Sequence, residues 1–277
     1  MALSILNNIA SLAARNQLQI TGAGLQSTLF RLSSGSRINT GADDAVGLAI
    51  ADGLRANVTA LSQSARNASD GVGQLQVADG ALAQVTNLLN RAITLGTQAS
   101  TGTVSSSQRT ALNSEFTAIK AEIDRIGVNT TFNGSSVFSA STTSIFLSDA
   151  ASNSTIAVSV GALSSSAIGT TSPVNLSVDD LTTAANATTA LANMNTAVAN
   201  VASIRGTLGA SINRLQSAVN VINNQVQNLT AAEDGIRAAD IAQEVANLTR
   251  FSILNQTGVS ALAQANSQQQ SVLQLLK

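Results

Sequence analysis

The sequence predicts a mainly α protein: a long antiparallel coiled-coil bundle built from paired N- and C-terminal segments, with a small β-hairpin region in the middle. Three observations predict it. Apolar residues recur in alternating steps of four and three over unusually long stretches on both sides of the chain's centre, the spacing of helices that pack with left-handed supercoiling. The single proline, Pro173, leaves both flanks free of a helix breaker. Aromatic residues make up only 2% of 277 residues, with no Trp or Tyr, so slender helices packed through Ala, Leu, Val and Ile fit better than a thick globule.

Composition also removes function classes. A formal net charge of −1 from few charges of both signs offers no basic surface for nucleic acid or anionic lipid. Without Cys or His there is no disulfide, thiolate nucleophile, zinc-peptidase site or His-dependent triad. No cofactor is implied: Gly71 and Gly73 form a GxG, but Gln76 stands where a dinucleotide loop needs its third glycine and no strand precedes it. The first residues, MALSILNNIASLAARNQ, lack the basic start and unbroken apolar run of a secretory leader, and no run approaches the ~20 apolar residues that cross a bilayer.

Taken in order, the first seam is Leu18, Gly22, Leu25, Leu29 and Leu32. Ser33, Ser34, Gly35, Asn39 and Gly41 read as a turn-rich connector, and Asp43 and Asp44 as carboxylates at the start of the next helix, where they cap free N–H groups. The second seam runs Leu54, Val58, Leu61, Ala65, Ala68, Val72, Leu75, Asp79, Leu82, Thr86, Leu89 and Ile93, a rod of roughly 60 Å with two polar interruptions. A third helix holds Leu112, Phe116, Ile119, Ile123 and Ile126, opened by a capping box at Ser105 and Gln108 and closed by Gly127 as C-cap.

Residues from about 129 to 183 are rich in Ser, Thr, Gly and Asn, with alternating stretches at Ser144–Ser148 and Thr155–Val160 and a turn dipeptide at Asn133 and Gly134. The helical period returns at Val198, Val201, Arg205, Leu208, Ile212, Leu215, Val219, Ile222, Val226 and Leu229, and again at Ile241, Val245 and Leu248. Glycines 71, 73, 80, 206 and 209 fall inside these helices, each costing about 1 kcal/mol relative to alanine. Close packing explains them; so does a need for a subunit that unfolds readily.

The terminal segments carry Asn7, Asn16, Ser252, Asn255, Asn266 and Gln269 among their apolar positions, so alone in water they are marginal helices. They are expected to order against each other and against neighbouring copies, which predicts polymerisation through seam residues Ile5, Ile9, Leu12, Leu18, Leu25, Leu29, Leu32, Ile241, Val245, Leu248, Val259, Leu262, Leu273 and Leu276.

RLSSGSRINTGADDAVGLAIA, at residues 31–51, and SALAQANSQQQSVLQLLK, ending at Lys277, resemble the two terminal signatures of bacterial flagellins. QVADGALAQVTNLLNRAITLGTQAS and EIDRIGVNTTFNG continue the resemblance, which leaves out only about residues 139–185. It implies an inner coiled-coil domain of residues 1–42 with 236–277, ordered on assembly. A helical rod domain of 43–138 with 184–235 and a short variable segment of 139–183 complete a minimal form without large outer domains. Within the signature Ser33, Ser34, Gly35, Arg37, Asn39, Asp43 and Asp44 make the connector and cap.

The resemblance further implies a structural, non-enzymatic subunit that is exported unfolded by a flagellar type III apparatus with a chaperone. Such a subunit is added beneath a cap protein, beyond hook-associated proteins, into a homopolymeric extracellular filament. A hook–filament junction protein and a secreted adhesin or immune-receptor ligand are the alternatives. Members are also recognised by a Toll-like receptor through the long helix. Arg91, Leu95, Gln98 and Glu115 agree with that pattern, whereas Ile93 and Thr94 replace charged residues, so weak or no activation is expected. Arg237 and Ala238 replace a common acidic pair, and Gln269 a common proline.

Overall fold

A computed structural model describes residues 8–139, 141–148, 155–169 and 173–275, with side chains to residue 270. Among them are five helices, α1 (Ile9–Ser34), α2 (Ala45–Ser100), α3 (Ser106–Asn129), α4 (Ala184–Arg237) and α5 (Ile241–Leu275). Between α3 and α4 lie three antiparallel hairpins: β1 (Thr131–Phe132) with β2 (Ser135–Ser136), β3 (Thr143–Phe146) with β4 (Thr155–Val158), and β5 (Leu163–Ser164) with β6 (Ala167–Ile168). The mainly α class with a small central β-region therefore holds.

The chain forms two compact units, residues 1–56 with 228–277, and residues 57–227. In the second, α2 and α4 run antiparallel: Gly71 lies against Leu215, Asp79 against Arg205 and Gly96 against Met194. The buried stripe of α2 in this unit is Leu61, Ser64, Ala68, Gly71, Leu75, Ala78, Leu82, Val85, Leu89, Ala92, Leu95, Gly96 and Ala99. Every seventh residue of the expected seam, from Leu61 to Leu89, is in it. The intervening positions are one residue earlier than expected: Val58, Ala65, Val72, Asp79, Thr86 and Ile93 are half-buried flanks.

The same one-residue displacement recurs in α4. Val201, Leu208, Leu215 and Ile222 are buried as expected, but Ala197 and Ile204 replace Val198 and Arg205. The physical reason is size: Ser64, Gly71, Ala78 and Ala92 allow close backbone approach, while the larger neighbours sit at the edge. Asp79 and Arg205 thus do not interrupt a seam. They flank it and pair across it, Arg205 Nε to Asp79 Oδ1 at 2.7 Å.

Helix α3 opens with the expected capping box: Ser105 Oγ accepts from the Gln108 N–H, and Gln108 Oε1 accepts from the Ser105 N–H at 2.9 Å. Gly127 does not end it. The helix continues to Asn129, with Thr130 as C-cap, and Gly127 is a buried interior residue whose missing side chain makes room for the Leu163 carbonyl of β5. Asp124 secures the same junction by accepting from the N–H (2.6 Å) and hydroxyl (2.8 Å) of Ser165.

Asn133 and Gly134, at φ of 49° and 78°, form the two-residue turn of the first hairpin. The expected strand stretches pair as β3 and β4, which dock on α2 where Ser64 Oγ donates to the Ser148 carbonyl and Ile145 fills the space above Gly71.

Candidate assembly surface

The first unit is organised by α1 and α5, packed antiparallel: Leu18 meets Gly258, Gly24 meets Phe251, Arg31 meets Glu244, and Asn8 Nδ2 donates to the Ala265 carbonyl at 3.1 Å. A Cβ on Gly24 would stand 2.8 Å from the Phe251 ring, so this glycine forms the slot that receives it. The facing stripe is Leu18, Thr21, Leu25, Thr28 and Leu32 on α1, and Glu244, Leu248, Phe251, Asn255, Gly258 and Leu262 on α5.

Burial on α1 is inverted relative to an ordinary amphipathic helix. Its only buried residues among those described are Thr21 and Thr28, 3% and 4% exposed, whereas Ile9, Ile20 and Phe30 are 70%, 65% and 58% exposed. Ile9, Leu12, Ile20 and Phe30 share one side of the helix, opposite the stripe facing α5. On α5, Ile241, Val245, Ile253, Leu254 and Val259 are likewise exposed.

The residues expected to form one polymerisation seam therefore separate into two groups. Leu18, Leu25, Leu32, Leu248 and Leu262 are half-buried between α1 and α5. Ile9, Leu12, Leu29, Ile241, Val245 and Val259 face outward. Ile5 and Leu276 lie outside the described residues, as does the side chain of Leu273. Sequence reasoning missed Ile20, Phe30, Ile253 and Leu254; Ile20 and Phe30 lie half a helical turn from the first seam on α1, and Ile253 and Leu254 fall outside the seam of α5.

The connector begins two residues later than expected, because Ser33 and Ser34 complete the last turn of α1. Gly35 ends it in the left-handed conformation at φ 69°, its N–H bonded to the Arg31 carbonyl at 2.9 Å. The outgoing and returning strands then clasp each other: Arg37 N–H donates to the Arg237 carbonyl (2.6 Å) and Ala239 N–H to the Gly35 carbonyl (3.0 Å). Arg237 also reaches Asp52 and Glu233 at 3.6 and 3.7 Å.

The two acidic residues divide their work. Asp44 caps α2, accepting from the Gly47 N–H at 2.8 Å. Asp43 instead folds back on the connector, accepting from the N–H groups of Asn39 (3.2 Å) and Thr40 (3.0 Å), with Arg31 at 3.5 Å. The Thr40 backbone and hydroxyl bonds, then the Asn39 N–H and Arg31, hold its carboxyl below the ordinary range.

On the long helix, Arg91 pairs with Glu115 at 2.7 Å, which lowers the carboxyl and raises the guanidinium from their usual values. Gln98 is exposed, but Leu95 is 1% exposed and belongs to the core.

Two family models match the chain: the bacterial flagellin N-terminal helical region over residues 5–143 and the bacterial flagellin C-terminal helical region over residues 191–276. The chain belongs to the bacterial flagellin family. It is 37% identical to a flagellin of Halalkalibacterium halodurans, covering 98% of both chains. A flagellin of Bacillus subtilis is 34% identical, covering 98% of this chain and 99% of the relative, and the flagellar filament 33 kDa core protein of Treponema phagedenis is 32% identical over the same shares. A crystal structure of Bacillus cereus flagellin aligns at 30% identity with a TM-score of 0.49, covering 61% of this chain and 94% of that one. Family membership makes this chain a structural subunit of the flagellar filament, assembled from copies of itself outside the cell, and not an enzyme.

Proposed function

We propose that the outward apolar faces of α1 and α5 are the surface through which copies of this chain join. The observation that carries this reading is the inverted burial of α1, where Ile9, Ile20 and Phe30 stay in water while two threonines are covered. A heterologous contact between such faces propagates instead of closing, as a helical filament requires. In this reading residues 1–42 and 236–277 form the assembling part, and 43–138 with 184–235 a helical rod.

The subunit leaves the cell unfolded through a flagellar type III apparatus with its chaperone, and is placed between hook-associated proteins and a cap. The junction-protein and adhesin readings are not favoured, since relatives matched over nearly their whole length carry filament names. Toll-like receptor activation is weak: Leu95 is internal, Arg91 is engaged by Glu115, and Ile93 and Thr94 supply no charge. Strong reporter-cell activation by purified monomer would contradict this.

Ile9→Asp, Ile20→Asp and Phe30→Asp together should leave a folded, helical monomer that forms no tubes after salt-induced assembly, as seen by electron microscopy and circular dichroism. Deleting residues 1–31 should do the same. Long filaments from either variant would refute the assignment of the surface.

A further inference from the structure

The second unit contains an open cleft of about 920 Å³ between α2 and the hairpins, unrelated to the outward faces of α1 and α5. Its walls are Asp70 and Gln74 from successive turns of α2, Phe132, Asn133 and Ser135 around the first hairpin turn, and further hydroxyls from the segment leading into β3. The size falls within the roughly 300–1,000 Å³ of small-molecule clefts.

Its chemistry is selective. Phe132 lies across α2 at Gly73, its Cε2 and Cζ standing 3.6 and 3.7 Å from where a Gly73 Cβ would be, and still lines the cleft. A left-handed backbone at Asn133 and Gly134 holds the side of the turn that carries the Asn133 amide. Among the described residues, the Asp70 carboxylate and the amides of Gln74 and Asn133 take part in no hydrogen bond or ion pair, although all three line one cavity. The lining has one carboxylate and no cation, which disfavours phosphates, carboxylates and acidic sugars. A single carboxylate is also too few ligands for a divalent cation, which takes six or more oxygens.

A lone carboxylate also suits an ammonium group, but the two amides and the aromatic ring beside it suit a polyhydroxylated, uncharged ligand. A carboxylate accepts from two neighbouring hydroxyls, amides both donate and accept, and an aromatic ring packs on the apolar C–H face of a pyranose. We propose that this cleft is a low-affinity binding site for neutral saccharide units, with Asp70 as the hydroxyl acceptor, Phe132 as the apolar platform, and Gln74 and Asn133 as orienting amides.

Saturation-transfer NMR on the full-length monomer tests it, with the disaccharides of glucose, mannose and N-acetylglucosamine as neutral probes and a sialylated lactose as the acidic one. At least one neutral probe should bind with a dissociation constant of roughly 1–10 mM, and binding should weaken about tenfold or more in both Asp70→Asn and Phe132→Leu. The sialylated probe should give no transfer beyond that of its lactose part. Asp70→Asn is isosteric at an exposed position, so it separates loss of the site from loss of the fold. No transfer to any neutral probe, or transfer unchanged by both substitutions, overturns the proposal. Slowed polymerisation of Asp70→Asn without sugar binding would also overturn it, by assigning the cleft to contacts between subunits.

Discussion

Replacing Gly80, Gly206 and Gly209 together by alanine should stabilise the monomer. All three lie inside long helices, and a Cβ added at any of them meets nothing within 4 Å. Close packing, one of the two explanations offered for helical glycines, therefore does not apply to these three. With a propensity gain of about 0.8–1.0 kcal/mol per site and no shared contacts, the triple variant should gain about 2.4–3.0 kcal/mol. That corresponds to a midpoint roughly 5–12 °C higher in thermal unfolding. Gly127 is the internal control: its Cβ would overlap the Leu163 backbone carbonyl, so Gly127→Ala should lose about 1–3 kcal/mol despite the same propensity gain. Urea and thermal denaturation of monomer, followed by circular dichroism, measure both without interference from neighbouring copies. A triple variant no more stable than the parent would refute the reasoning. If it is more stable yet exported at the normal rate, the view that these glycines ease unfolding for passage through the export channel fails.

The displaced seam can be tested at adjacent residues: Ala78→Asp buries a carboxylate and should cost more than about 3 kcal/mol, whereas Asp79→Ala removes only a half-exposed ion pair and should cost about 0.2–1 kcal/mol. Equal urea midpoints would restore Asp79 to the core. Hydrogen bonding to Arg205 holds the folded-state carboxyl of Asp79 below its usual value. A depressed folded value means the pair's contribution is present above the unfolded value and lost as pH falls through the folded one, so the small advantage over Asp79→Asn should begin to decline below about pH 4. An advantage that persists to about pH 2 would contradict this. Ser105→Ala removes half of the capping box and should lower stability by about 1 kcal/mol, with hydrogen exchange accelerating in the first turn of α3 and not in the last.

Features with a local cause were legible in the sequence. The capping box at Ser105 and Gln108, the Asn133–Gly134 turn, the strands that became β3 and β4, and the α3 stripe of Phe116, Ile119 and Ile123 all follow from residue chemistry within a few positions. What was misread depends on a partner distant in sequence. Gly127 resembles a helix terminator until the Leu163 carbonyl arrives over it from β5. The intervening seam positions were assigned one residue late because Val72 and Ile93 are more apolar than Gly71 and Ala92. An interface selected for close approach rewards smallness, and only the facing Leu215 and Ile145 reveal that at Gly71. In the candidate assembly surface, the terminal leucines were named but not their division into an inner stripe and an outer face. That division depends on where α5 lies around α1.

The division also bears on why such a subunit polymerises instead of completing a core of its own. Ten large apolar residues of α1 and α5, from Ile9 to Val259, are between 44% and 70% exposed. At roughly 1.5–3 kcal/mol for each side chain fully covered, finishing their burial yields about 8–17 kcal/mol per subunit. Fixing a subunit in place costs an estimated 4–15 kcal/mol in lost translational and rotational freedom. Covering only one of the helices yields about half of that gain, which does not exceed this cost, so contact with one neighbour alone does not hold a subunit in place. Growth becomes favourable where a site in the lattice covers both helices at once, which confines addition to a preformed filament end and leaves isolated subunits as monomers. A substitution that removes apolar area from only one face, such as Ile253→Asp on α5, should therefore raise the critical concentration for assembly steeply without unfolding the monomer. Sedimentation of assembled from free subunit measures that concentration, and an unchanged value would show that the α5 face takes no part in it.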